Sequence, residues 1–160
     1  MNYEDIEKKA DGLTEVYSEA PIPVYEIIRS KGIEVYEAEF RVRVKNVHGF
    51  CDFVGGAIYL NNVDTPTQQI YTAAHELGHW VLHKSKYEGK NKRYACLPKG
   101  NAVGFDIDEE EEDQANFFAS RLLVPRLLLR PYRSYNNSIA SLAKEFNVSR
   151  DLMERRVRGE

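Results

Sequence analysis

Cysteine is almost missing from this chain: Cys51 and Cys96 are the only two in 160 residues. Two thiols cannot build a disulfide framework, which excludes a small secreted scaffold held by cross-links and points to a reducing, cytoplasmic setting. Long apolar runs are missing as well. No stretch approaches the roughly 20 consecutive apolar residues of a membrane-spanning helix. The opening Met1-Asn2-Tyr3-Glu4-Asp5-Ile6-Glu7 is acidic and has no apolar stretch, so it does not read as a secretory leader. Tryptophan occurs once and histidine four times. Internal repeats are lacking, and the sole biased segment is the acidic run Asp108-Glu109-Glu110-Glu111.

What remains suffices for a packed domain. Hydrophobic residues make up 42% and charged residues 29%, which argues against disorder and fits one domain with a small appendage. The net charge of −3 is unevenly spread. Residues 1–120 carry 13 Lys/Arg against 21 Asp/Glu, a net of −8; residues 121–160 carry 9 against 4, a net of +5. An acidic body would not track phosphates. The basic tail is either an ordinary solvated helical surface or a place to meet an acidic partner or nucleic acid.

Residues 3–19 read as a surface helix with Ile6, Leu13, Val16 and Tyr17 on one face, stopped by Pro21 and Pro23. A shorter helix runs from Val24 to Ser30 and ends at Lys31-Gly32. From Ile33 the period changes. Val42 and Val44 alternate with Arg41, Arg43 and Lys45, and Ala57-Ile58-Tyr59-Leu60 follows a break at Gly55-Gly56. The expectation is an antiparallel sheet of about three strands, with a hairpin at Gly55-Gly56. Thr65-Pro66 opens a helix to about His83. Residues 84–106, with Gly89, Pro98, Gly100 and Gly104, read as a long loop. A second strong helix starts near Asp106–Asp108, its acidic first turn suited to the positive end of the helix dipole, and runs to Leu123. Short helices near 126–132, 137–145 and 149–157 complete an α+β chain.

His75-Glu76-Leu77-Gly78-His79 is an H-E-x-x-H motif inside the helix expected over 66–83. Residues four apart share a helix face, so two imidazoles can converge on one zinc ion. Glu76 lies beside that pair and can serve as a general base toward a water. His83 continues the ladder, but it sits about 12 Å along the axis from His75, too far to share an ion with it. It is expected to hydrogen-bond locally or to line the cleft. A third ligand is needed. On the second helix Ala115, Asn116, Ala119, Leu122 and Leu123 share a face with Glu112, and the small alanines allow close approach. Glu112 is therefore the leading candidate, with Glu109 the alternative; Glu110, Glu111 and Asp113 should be solvated. The Asn116 carbonyl could orient a ligand histidine through its second ring nitrogen. Tyr87, Arg93 and Tyr94, in or beside the long loop, are candidates to face the oxyanion of a cleaved peptide. An extended substrate could add to a sheet edge offered by residues 41–60.

Two blocks together, His75-Glu-Leu-Gly-His79-Trp-Val-Leu-His83 and Glu112-Asp-Gln-Ala-Asn-Phe-Phe-Ala-Ser-Arg-Leu-Leu-Val-Pro125, resemble the ImmA/IrrE family of zinc metallopeptidases. The resemblance is close over 57–125 and looser over 21–158. It implies a zincin-like metallopeptidase domain over 1–133, with Zn²⁺ held by His75, His79 and Glu112 and with Glu76 catalytic. The family's E-x-x-A-N-x-F-A signature falls on Glu112. Broader relatives, the gluzincins, carry an acidic residue where this chain has Asn116. The resemblance also implies a protein substrate, a helix-turn-helix repressor of a mobile element or phage, and no membrane partner.

Residues 138–157 resemble a helix-turn-helix, with a turn at Phe146-Asn147-Val148 and Ser149 capping the second helix. The second helix mixes Arg150, Arg155, Arg156 and Arg158 with Asp151 and Glu154. Packing on the domain, or docking of a partner, is favoured over direct nucleic-acid binding. Two rival readings are a DNA-binding regulator with a vestigial zinc site and a non-catalytic antirepressor. Both leave Glu76 without a purpose.

Overall fold

The computed structural model describes residues 1–40 and 47–87, the backbone of 94–96, and residues 108–159. Helix α1, Tyr3–Thr14, is capped by Asn2, whose Oδ1 accepts from the Asp5 amide at 2.8 Å. It buries Ile6, Ala10 and Thr14, one residue per turn. The helix is shorter than the expected span to residue 19. The Thr14 hydroxyl folds back onto the carbonyls of Ala10 and Asp11, and Val16, expected on the buried face, is 78% exposed. Helix α2, Val24–Ser30, ends at Gly32 in the left-handed region, φ +72°.

Four strands follow: β1 Glu34–Ala38, β2 Gly49–Asp52, β3 Ala57–Asn61 and the short β4 Tyr94–Cys96, in the order β1-β3-β2-β4. The β2–β3 hairpin is antiparallel and turns where expected. Asp52 Oδ1 accepts from the amides of Val54 and Gly55, and Gly56 takes φ +74°. The sheet as a whole is mixed, not antiparallel, because β1 pairs parallel to β3, Glu34 opposite Ala57 through Ala38 opposite Asn61. Strand β1 skips past β2 to dock on the outer side of β3, and that skip sets its direction. Its residues are mostly exposed, so no apolar alternation announces it. Residues 41–46, which include the expected Val42–Val44 strand, lie outside the described residues. Among the described strands the edges are β1 and β4, so β2 and β3 within 41–60 offer no open edge.

Helix α3, Pro66–Tyr87, lies against β2 and β3. The Thr65 hydroxyl accepts from the Gln68 amide at 3.3 Å. The helix runs one turn past the expected His83, with Lys84 and Lys86 at its negative end. Of the loop expected over 84–106, residues 84–87 belong to α3 and 94–96 form β4; the rest lies outside the described residues. Helix α4, Glu109–Leu123, is capped by Asp108, whose side chain accepts from the amides of Glu110 and Glu111. It is sandwiched between α3 and α1. Helices α5 Arg126–Tyr135, α6 Ile139–Glu145 and α7 Arg150–Arg158 finish the chain. Asn147 in the α6–α7 turn has φ +52°, and Ser149 caps α7 by accepting from the Leu152 amide. One apolar cluster joins Ile6, Ile28, Leu60, Leu77 and Phe118 to Phe146 and Met153, so the C-terminal helices share the core of the rest. No helix among the described residues is long and apolar enough to cross a membrane.

Candidate metal centre

The centre is built where α3 and α4 touch most closely. A Cβ added to Gly78 would lie 3.1 Å from Phe118 Cδ1 and 3.2 Å from both Cα and O of Ala115. Glycine on one helix facing alanine on the other brings the backbones near enough for short polar side chains to meet across the gap. On α3, His75 and His79 project from one face; on α4, Glu112 answers them. Their ligand-type atoms lie within 4.8 Å of one another, and all three residues are buried. His75 Nε2 and His79 Nε2 are 3.0 Å apart. Glu112 Oε2 is 3.4 Å from His75 Nε2, and Oε1 is 3.1 Å from His79 Nε2. Glu109, the alternative from the sequence, is exposed and is not part of the group.

The surrounding hydrogen bonds fix where the ring protons sit. Asn116 Oδ1 accepts from the Tyr71 hydroxyl at 2.9 Å and from His75 Nδ1 at 2.9 Å, so the His75 proton is on Nδ1 and its Nε2 presents a lone pair. Gln114 donates through Nε2 to Glu110 Oε1 and to the Met1 carbonyl. Its Oε1 is then the atom that accepts from His83 Nε2 at 3.0 Å. Burial lowers the pKa of His83, so its neutral ring keeps Nδ1 bare and accepts from His79 Nδ1 at 3.1 Å. His79 Nε2 is left with a lone pair too. Burial lowers the His79 pKa to about 4, against the pull of Glu112 in the other direction.

Three electron-rich groups thus converge in a buried gap. Burial on its own raises the Glu112 pKa, and it is a proton on His75 or His79 facing the carboxylate that would bring it down. With both Nε2 atoms bare neither ring supplies that proton, and a cation in the gap would keep the carboxylate ionised in its place. The spacing suits such an ion: donors about 2.0–2.1 Å from a common tetrahedral zinc lie roughly 3.3–3.4 Å apart. The observed 3.0, 3.1 and 3.4 Å bracket that value.

Glu76, between the two histidines in sequence, is fully buried. Its Oε2 accepts from the Cys51 thiol on β2 at 3.1 Å, and the same thiol approaches the Glu76 carbonyl at 3.0 Å. His83 is buried in the hydrogen-bonded chain just described, so of its two expected placements the local bond is the one found. Tyr87 stacks on Phe53 and donates its hydroxyl to Glu111 Oε2 at 2.8 Å. That bond ties the end of α3 to the start of α4, where Lys86 also pairs with Glu111 and with Asp108. Glu111 was expected to be solvated; it is buried, because this clasp takes both its oxygens. Arg93 lies outside the described residues, and Tyr94 is described by its backbone in β4 alone.

Sequence reasoning missed Tyr71, Gln114 and Cys51. Tyr71 stands one turn before His75, so the face argument that singled out Asn116 would have found it. Gln114 depends on the exact rotation of α4. Cys51 comes from a strand remote in sequence and carried no signal.

Comparison with known proteins adds three findings. No curated protein matches the chain. Eleven solved chains do, among them a Mycobacterium tuberculosis transcriptional regulator with TM-score 0.63 and 19% identity; the match covers 96% of this chain and 46% of that one. The present chain thus spans about half of that neighbour, and the likeness concerns the fold. The third finding concerns the sequence itself: residues 28–158, which contain α3, α4 and the facing histidines and glutamate, match the peptidase family described as the IrrE N-terminal-like domain, and the chain belongs to that family.

Proposed function

We propose that this protein is a cytoplasmic zinc endopeptidase that cleaves a DNA-binding repressor of a mobile element or phage at a specific site, relieving repression. The observation that carries the peptidase reading is the meeting of two Nε2 lone pairs and a carboxylate in one buried gap, with both tautomers fixed from behind. His75, His79 and Glu112 would hold the ion. When bound, zinc supplies a Lewis acid that polarises a carbonyl and makes a water more acidic. Asn116 and His83 keep the two rings turned with Nε2 inward. Glu76 takes a proton from the attacking water on its carboxylate. As the water oxygen bonds to the carbonyl carbon and the C–N bond breaks, Glu76 passes that proton to the leaving nitrogen, giving a carboxylic acid and an amine. Cys51 orients this carboxylate through Oε2.

Support for a regulatory substrate is more indirect. The resemblance is to a family in which repressor cleavage recurs, and one similar solved chain is a transcriptional regulator. The test incubates the protein with the repressor encoded beside it and follows intact mass, with Glu76→Gln as control. A single new pair of fragments, absent with the control, is the expected result. Derepression of the operator with the repressor intact would instead favour an antirepressor acting by sequestration.

A further inference from the structure

Behind α4, on the side away from Glu112, the last helices form a groove of about 1050 Å³. Arg121 lines it from α4, nine residues after Glu112, which is half a turn round the helix and about 14 Å along it. Helix α5 contributes Arg126, Arg130 and Arg133, spaced i, i+4, i+7 on one exposed face. Arg156 and Arg158 come from α7.

These guanidinium groups are not equally satisfied. Arg121 lies over the Phe117 ring and approaches Glu7 at 3.4 Å, and Arg156 is pinned to the Val124 carbonyl by two hydrogen bonds. Those two build the groove wall. Arg126 and Arg130 make no ion pair among the described residues, although Glu7 lines the groove beside Arg121, and Arg133 reaches the Val157 carbonyl at 3.4 Å. Three like charges at one-turn spacing repel one another unless an anion lies across them. Their planar forks suit carboxylate or phosphate oxygens.

Two features choose between those anions. The groove carries apolar surface among the charges: Leu127 is 77% exposed, with Val157 beside it. Such surface rewards aliphatic groups in the occupant, which a peptide brings and a sugar–phosphate backbone lacks. The charges of α7, the helix that would enter a major groove, largely neutralise one another: Arg155 pairs with Asp151 at 2.9 Å, and Arg158, at the groove, with Glu154 at 3.5 Å.

We infer that the α5–α7 groove is a docking site for an acidic, leucine-rich peptide segment of a partner protein, gripped by Arg126, Arg130 and Arg133 around Leu127. This holds whether or not the metal centre cleaves the partner.

Fluorescence anisotropy on the full chain tests it directly. The probes are a labelled peptide of alternating glutamate and leucine, the same peptide with Gln for Glu or Ser for Leu, and a mixed-sequence DNA duplex. The Glu/Leu peptide should bind, more weakly as salt rises. The triple variant R126E/R130E/R133E should lose about tenfold or more in affinity while keeping its circular dichroism. The Gln peptide should not bind, and the Ser peptide should bind several-fold more weakly. Equal binding to the triple variant, or no binding of the Glu/Leu peptide, overturns the inference. So does tighter binding of the duplex that the triple variant abolishes, which would assign the groove to nucleic acid. Because every arm reads binding, a failure here leaves the peptidase reading untouched, and an inactive peptidase leaves this result standing.

Discussion

Two nitrogen-rich clusters in this protein are handled in opposite ways. Between α3 and α4, three imidazoles are buried and each ring proton has an assigned acceptor. Between α5 and α7, guanidinium groups stand exposed, and three of them make no ion pair among the described residues, although Glu7 lines the same groove beside Arg121. The difference follows from solvation. A buried polar atom without a partner costs several kcal/mol, so neighbours must specify the inner cluster atom by atom. Exposed charges are solvated by water, so the outer cluster tolerates being unpaired and leaves its specificity to whatever binds. The inner cluster should therefore be brittle to single substitutions and the outer one graded.

The sharpest expected contrast is His79→Ala, which removes one of the converging lone pairs: elemental analysis should show zinc lost altogether. Zinc retained in both His79→Ala and Glu112→Ala would remove the inner cluster from the metal reading. Glu76→Gln preserves shape and should keep zinc while lowering cleavage about 10²–10⁴-fold. Zinc loss in that variant would instead place Glu76 among the ligands. Next come the residues that fix tautomers. Asn116→Ala and His83→Ala should each weaken zinc about 10–100-fold in chelator competition. If neither does, the ring orientation is set by packing and the supposed brittleness stops at the ligands. Gly78→Ala should come lower still. Its methyl would press on Ala115 and Phe118, so zinc affinity should fall several-fold. Thermal stability should change by no more than about 1–2 kcal/mol, since helix propensity gained offsets overpacking. Smallest of all, R126E/R130E/R133E should leave zinc content unchanged, because the groove lies on the other side of α4.

The same contrast explains what could be read from the sequence. Within α3 and α4 the period of the helix projects residues onto faces, so His75, His79, Glu112 and Asn116 could be placed on facing surfaces before any coordinates. The small residues Ala115 and Ala119 already marked the close approach, whereas Gly78, which meets Ala115 from α3, was read only as part of the motif. Cys51 and Gln114 were not legible, since one arrives from the sheet and the other depends on helix rotation. Glu111 was misread because the sequence shows an acidic run and not the Tyr87 and Lys86 that bury one member of it. Strand β1 was missed for want of apolar alternation, and with it the parallel pairing. The arginines of α5 recur at helical spacing in plain view, but the groove exists only once α7 folds back beside them.

The clasp between Tyr87, Lys86, Asp108 and Glu111 has a consequence for how freely the two helices of the site can move apart. It holds the end of α3 against the start of α4, and β4 is held against β2. Glu112 directly follows Glu111, so the clasp lies one residue from the carboxylate of the candidate metal group. A tether at that point limits how far Glu112 can turn away from His75 and His79 should the two helices slide, so the group is guarded from its flank as well as from behind its rings.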